Sequence, residues 1–234
     1  MRFQVGYMAE ALSRSRAAGE LRAVARQIVR RRRMSKSSKV PHILSQLSDQ
    51  LFRGWSAFLV ARHIDGVLER DAIADVRYLS VTVLVACVES TILALTKLTL
   101  PHKDSMHIGY LLNCCEQDPQ TFPNVDRPEI LTAVERHREQ LEEVKPLIEC
   151  ARTWRNRAIA HLDKKHVNDP ELMSSTPPID MTRVEDTFRL LEGIINTYRG
   201  YLDFSEMRLS ESEARIADEW ERLVGLLQSD NKET

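Results

Sequence analysis

Residues 79–100 read LSVTVLVACVESTILALTKLTL and form the most apolar stretch of the chain. The stretch is long enough to span a membrane, but Glu89 lies at its centre and Lys97 near its end. A carboxylate in the middle of a bilayer is costly, so we predict a buried core helix rather than a membrane span. Because a surface helix cannot be apolar all round, the helix over 74–100 should lie at the centre of a bundle or in a subunit interface.

Elsewhere in the chain, apolar residues recur at steps of three and four, the spacing of an amphipathic helix. One such pattern runs from Pro41 to about Asp65, and another from Pro128 to His161. Pro146 falls inside the second pattern and should kink that helix or split it in two. We find no convincing strand and no Gly-rich phosphate loop. The predicted fold is all-α, an up-and-down four-helix bundle with accessory helices.

Two later helices carry start signals in the sequence. Thr182 with Glu185, and Ser210 with Glu213, each have the spacing of a capping box, in which the two side chains bond to backbone N–H groups at a helix start. We therefore expect these four side chains to cap helices.

The net charge of −1 conceals a basic N-terminal segment. Residues 1–33 hold nine Arg and two Glu (+7), whereas residues 34–234 hold 24 basic and 32 acidic side chains (−8). Three interpretations stay open: an arm for nucleic acid or a membrane surface, an organelle transit peptide, or translated sequence before a true start at Met34. The predicted organisation is an Arg-rich extension over 1–33, a helical domain over 40–205, and a C-terminal helix and tail over 206–234.

Composition also bears on location and chemistry. Only 8 Gly and 14 aromatic residues occur in 234 positions, which argues against Gly-loop nucleotide folds and β-sandwiches. No Cys-x2-Cys pair occurs among the four cysteines, and we find no secretory signal, so we predict reduced thiols and a cytoplasmic protein.

The residues with the clearest chemical potential end the second helical pattern, where 152–166 read RTWRNRAIAHLDKKH. The guanidinium of Arg155 is always charged and suits a phosphate that gains negative charge, while His161 titrates near neutrality and suits proton transfer. On an ideal helix these two residues are roughly 9 Å apart along the axis and about 120° apart around it. Either the helix unwinds at His161, or a two-fold related copy supplies the matching groups.

Arg155, the polar Asn156 after it and His161 at this spacing resemble the signature of the HEPN superfamily. The continuation Ala-His-Leu-Asp-Lys over 160–164 resembles its abortive-infection U-type branch, and the resemblance covers about residues 40–205. It implies a metal-independent RNA endonuclease that acts at a homodimer interface as a toxin or antiviral effector, with RNA as substrate, a possible cognate antitoxin, and no metal or cofactor.

The resemblance also implies roles for individual residues. Arg155, Asn156 and His161 would be catalytic. Glu89 and Asp163 would orient or support them, and the remaining basic residues of the motif would bind RNA: Arg157, Lys164 and Lys165.

A second reading of the same residues stays open. The arginines could pair with acids such as Glu149, His161 could cap the helix C-terminus, and the basic residues after it could be plain solvated surface. Glu89 could equally be the partner of a core arginine. In that case the chain would be a non-catalytic helical module that binds nucleotide, RNA or a partner protein.

Overall fold

The computed structural model describes residues 39–68, 77–101, 106–156 and 178–230. Regular structure within these ranges consists of helices only, so the predicted all-α class is confirmed, while the four-helix arrangement stays a prediction. There are seven α-helices and one 3₁₀ turn in these ranges: α1 Val40–Leu68, α2 Arg77–Thr99, α3 Ile108–Gln117, the turn Pro119–Thr121, α4 Arg127–Glu143, α5 Lys145–Trp154, α6 Met181–Tyr201 and α7 Leu209–Asp230.

Backbone contacts divide the chain between Pro41 and His42. The description below concerns the unit that follows, His42–Thr234. The basic extension over 1–33, with its three interpretations, lies outside the described residues.

The core is centred on aromatic side chains of α1 and α6. Trp55 stacks on Phe58 with ring centroids 5.2 Å apart and meets the edge of Phe188 at 6.0 Å. All three rings are buried. The indole N–H of Trp55 donates to the backbone carbonyl of Leu209 at 3.2 Å, so one side chain links α1, α6 and the start of α7.

Close packing of α1 depends on Gly54. A Cβ at this position would overlap the Cβ of Ala94 on α2 and lie 2.9 Å from Cε1 of Phe188 on α6. Because both neighbours are themselves buried, they have little room to move.

Gly54→Ala should therefore destabilise the protein by about 1–3 kcal/mol through overpacking. The matched control is Gly193→Ala on α6, where an added Cβ meets nothing within 4 Å. That change should stabilise the protein by about 0.5–1 kcal/mol, because alanine is the better helix former. Denaturant unfolding of both variants measures the difference, and equal effects would contradict the close approach of α1 to α2 and α6.

Pro146 splits the long helical pattern, as predicted. Helix α4 ends at Glu143, Val144 joins the two helices, and α5 begins at Lys145 with Pro146 in its first turn. Proline fits there because the backbone N–H groups of the first helical turn have no carbonyl partner within the helix, so a residue without an N–H loses no hydrogen bond.

The two predicted capping boxes are wrong. Helix α6 is capped by Asp180, whose carboxylate accepts the backbone N–H groups of Thr182 and Arg183. Glu185 instead pairs with Arg62 on α1 at 3.0 Å. Glu213 pairs with Arg62 at 2.8 Å and with Arg189 at 2.6 Å, so the carboxylates predicted as caps hold α1, α6 and α7 together.

Only the second half of α2 is a core helix, so the predicted core position holds for that half and is wrong for the first half. The other predicted position, a subunit interface, stays a prediction for the first half. The buried residues of α2 all lie beyond residue 90: Thr91, Ile92, Ala94, Leu95, Thr96 and Leu98. The first half exposes five large apolar side chains: Tyr78 (89% exposed), Leu79 (62%), Val85 (51%), Val81 (43%) and Val83 (37%). We call this set the α2 apolar face. By length and composition alone α2 could cross a membrane, and 28% of its most apolar window is buried in the fold.

A buried polar pair joins α4 to α6. The His137 ring, 3% exposed, lies with Nδ1 3.1 Å from the Tyr198 hydroxyl. Burial, with a smaller effect of the Arg136 charge, lowers the pKa of His137 to about 4. The folded protein therefore keeps this ring neutral well below the pH at which a histidine in the unfolded chain takes up a proton.

The stability of the protein should fall as the pH drops from about 6.5 towards 4, because the unfolded chain then binds a proton at His137 that the folded chain does not. The slope from this one group is at most about 1.4 kcal/mol per pH unit. Denaturant unfolding at pH 7 and pH 5 should show a smaller loss for His137→Gln than for the wild type, with the exposed His42→Gln as control. Equal losses of unfolding free energy in all three proteins would contradict the lowered pKa of His137.

Candidate active site

The site begins where α5 ends. Leu147, Ile148 and Ala151 are buried on one side of this helix, which packs against α2 and α4. The same helix places Trp154 half-buried at its last residue, and Arg155 and Asn156 directly after it. The core thus fixes the position from which the two predicted catalytic residues project.

The chain changes its winding at the motif. Arg155 and Asn156 lie in a π-helical turn, and the backbone N–H of Arg155 is shared between the carbonyls of Ala151 and Arg152. Such widened turns are rare and often occur at functional sites. An ideal α-helix therefore does not continue through Arg155, while the expected unwinding at His161 lies outside the described residues.

Asn156 holds the Arg155 side chain. Its Oδ1 accepts from Nε of Arg155 at 3.1 Å and from Nη2 at 2.9 Å. These bonds use two of the five guanidinium N–H groups. The other guanidinium N–H groups and the Asn156 amide N–H₂ can donate to an anion that approaches this end of α5, such as a phosphate.

The sequence left open that the motif arginines pair with Glu149, but the arginine that pairs with Glu149 is Arg152. Glu149 forms an exposed ion pair with Arg152 at 3.2 Å, one turn along the same helix. Within the described residues, Arg155 makes its side-chain hydrogen bonds to Asn156 and none to Glu149.

Most of the other predicted site residues lie outside the described residues: Arg157, His161, Asp163, Lys164 and Lys165. Glu89 is described and is half-buried on α2. Among the described contacts it has no hydrogen bond to Arg155, so its orienting role stays a prediction. The structure brings Arg155 and Asn156 together.

A cavity of about 420 Å³ opens beside Trp154, in the size range of small-molecule sites. Its walls are mainly apolar and come from α1, α2, α6 and the end of α5, with Arg62, Asp65 and Glu185 among its polar residues. Sequence reasoning missed this cavity. The available signal was Trp154 itself, an aromatic side chain next to the motif.

No group of three or more His, Cys, Asp or Glu side chains converges in the ranges that the structure describes. None of the four cysteines forms a disulfide bond with another described residue, and their redox state stays a prediction.

The described residues form helices only, and Arg155 and Asn156 lie together at a helix end. These are the features that the HEPN resemblance implies. The family model HEPN_AbiU2 (AbiU2) matches residues 76–221, more than half of the chain, so the protein belongs to this HEPN family. The match begins later than the predicted range of about 40–205 and extends beyond its end into α7. No curated protein and no solved structure matches the chain.

Proposed function

We propose that the protein is a metal-independent RNA endonuclease and acts as an abortive-infection effector. The observation that carries the proposal is the Arg155 guanidinium, held by Asn156 at the end of α5 inside the family match. A fixed guanidinium whose remaining N–H groups can donate to a phosphate stabilises the charge that develops there during cleavage.

The reaction follows from the residue types. A ribose 2′-hydroxyl loses its proton to a base, its oxygen bonds to the adjacent phosphorus, and the bond from phosphorus to the 5′-oxygen breaks. The 5′-oxygen leaves with a proton, so the products are a 2′,3′-cyclic phosphate and a 5′-hydroxyl. His161 is the group suited to take or give these protons near neutral pH, and Arg155 and Asn156 hold the phosphate.

We further propose that two copies assemble through the α2 apolar face. Monomeric soluble proteins rarely expose large contiguous apolar patches, and this face has no charged residue between Arg77 and Glu89. Leu84 and Val88 of the same helix segment line the cavity beside Trp154, so this segment and the residue before the motif border one cavity. A two-fold assembly there would bring two motifs together.

Leu79→Glu should therefore convert a dimer to a monomer, because it would bury an unpaired charge in the interface. Leu226→Glu on α7 is the matched control, since Leu226 is 66% exposed and Leu79 is 62% exposed. Light scattering of the purified proteins measures the assembly. A monomeric wild type, or a wild type that is recovered only with membranes, would contradict this proposal.

The nuclease proposal is tested with a single-stranded RNA and a DNA of the same sequence. The RNA should be cut, and the DNA should stay intact because it lacks the 2′-hydroxyl. Binding of RNA without cleavage, by a preparation verified as folded and dimeric, would instead favour the non-catalytic module. Cleavage of both strands would contradict the mechanism.

A further inference from the structure

The cavity beside Trp154 has walls suited to a flat ring. Phe58 and Ile92 are buried at its inner side, and Leu84, Val88 and Trp154 are half-buried around it. The half-buried members of this set keep part of their apolar surface accessible at the cavity. Aromatic and aliphatic walls of this kind take up an unstacked base, because every base has an apolar face.

The charges around the cavity disfavour a phosphate inside it. The Arg62 guanidinium donates to Glu185 at 3.0 Å and to Glu213 at 2.8 Å, so its charge is already compensated. Asp65, exposed and three residues further along α1, has no hydrogen-bond or ion-pair partner in the described part of the chain. A ligand that offers N–H donors is therefore favoured over an anion.

Building on the nuclease function proposed above, we propose that this cavity binds an unstacked guanine base of the RNA substrate, with Asp65 as the residue that reads the base. Guanine is the one standard RNA base with two adjacent N–H donors, N1–H and N2–H, on its Watson–Crick edge. A single carboxylate accepts both in parallel, as it does from an arginine. Adenine, cytosine and uracil place an acceptor beside their donor and would set a lone pair against the carboxylate.

The chain connects this cavity directly to the catalytic motif. Trp154 lines the cavity and Arg155 is the next residue, so the base site and the phosphate site are contiguous at the end of α5. A nucleotide with its base beside Trp154 would present its phosphate towards Arg155. Asp65 would therefore determine specificity, while Arg155 acts on the reacting phosphate.

Titration calorimetry of the full chain with the four ribonucleosides tests base binding without any need for cleavage. Guanosine should bind about tenfold more tightly than adenosine, cytidine or uridine. Asp65→Asn should weaken guanosine binding about tenfold and reduce its advantage over adenosine, because the amide replaces one acceptor oxygen with a donor. Asp186→Asn is the matched control, since Asp186 is exposed on α6 and does not line the cavity.

Equal affinity for all four nucleosides, no binding of any, or identical affinities in Asp65→Asn and Asp186→Asn would overturn the guanine site. The outcome is separable from the nuclease function. RNA cleavage without base preference, together with absent guanosine binding, would refute the base site and leave the nuclease. Guanosine binding that depends on Asp65, together with intact RNA, would refute the nuclease and leave the base site.

Discussion

Arg155→Ala and His161→Ala are each expected to lower the rate of RNA cleavage by about 100-fold or more. The arginine change removes the charge that stabilises the developing phosphate anion, and the histidine change removes the group that transfers protons. Arg155→Ala should not alter the melting temperature by more than a few degrees, because Arg155 follows the buried part of α5 rather than forming it. Single-turnover cleavage of a labelled RNA measures the rates.

Arg152→Ala is the matched control for the arginine. Arg152 lies on the same helix, is exposed, and pairs with Glu149 at 3.2 Å, so its loss should change cleavage less than about threefold. The loss of cleavage rate in Asn156→Ala should be smaller than in Arg155→Ala and larger than in Arg152→Ala, since Arg155 would keep its charge but lose the acceptor that holds it. An equal loss in Arg152→Ala, or cleavage that survives the Arg155 and His161 double substitution, would contradict these roles.

Trp55→Ala is expected to destabilise the fold by about 3–5 kcal/mol, the usual cost of removing a large buried aromatic side chain. The change opens a space beside Phe58 and Phe188 and removes the ring over which the Arg189 guanidinium lies at 4.4 Å. It also removes one of the two side-chain donors to the Leu209 carbonyl, which keeps the Ser212 hydroxyl. The melting temperature should fall by roughly 10 °C or more.

Phe52→Ala provides the comparison on the same helix. Phe52 is 49% exposed, so its truncation should cost less than about 1 kcal/mol. Thermal unfolding by circular dichroism distinguishes the two variants. Similar shifts in both would mean that the core is not centred on Trp55.

The helices were predictable because their signals are local. Apolar spacing located α1 from Pro41 onwards, and a proline alone indicated the break between α4 and α5. The capping boxes failed for the opposite reason. Glu185 and Glu213 have the spacing of caps, but their partner is Arg62, separated from them by 123 and 151 residues along the chain. A pattern four residues long does not reveal such a partner.

The candidate site divides in the same way. Arg155 and Asn156 are consecutive, so the sequence could identify them and the structure adds only how they bond. Asp65 and Trp154 meet at one cavity from helices far apart in the chain, and no local spacing indicates this. The exposure of the α2 apolar face could not be predicted either, because composition does not tell which half of an apolar helix packs against the rest of its own chain.

The most direct test of the central claim is the identity of the RNA ends formed in the presence of EDTA. If Arg155, Asn156 and His161 cleave RNA through the ribose 2′-hydroxyl without a metal ion, the wild-type protein should leave 2′,3′-cyclic phosphate and 5′-hydroxyl ends at an undiminished rate. The His161→Ala protein, purified in parallel, should form these ends at least about 100-fold more slowly. Cleavage that stops with EDTA and returns with magnesium, or products that carry 5′-phosphate ends, would contradict the account.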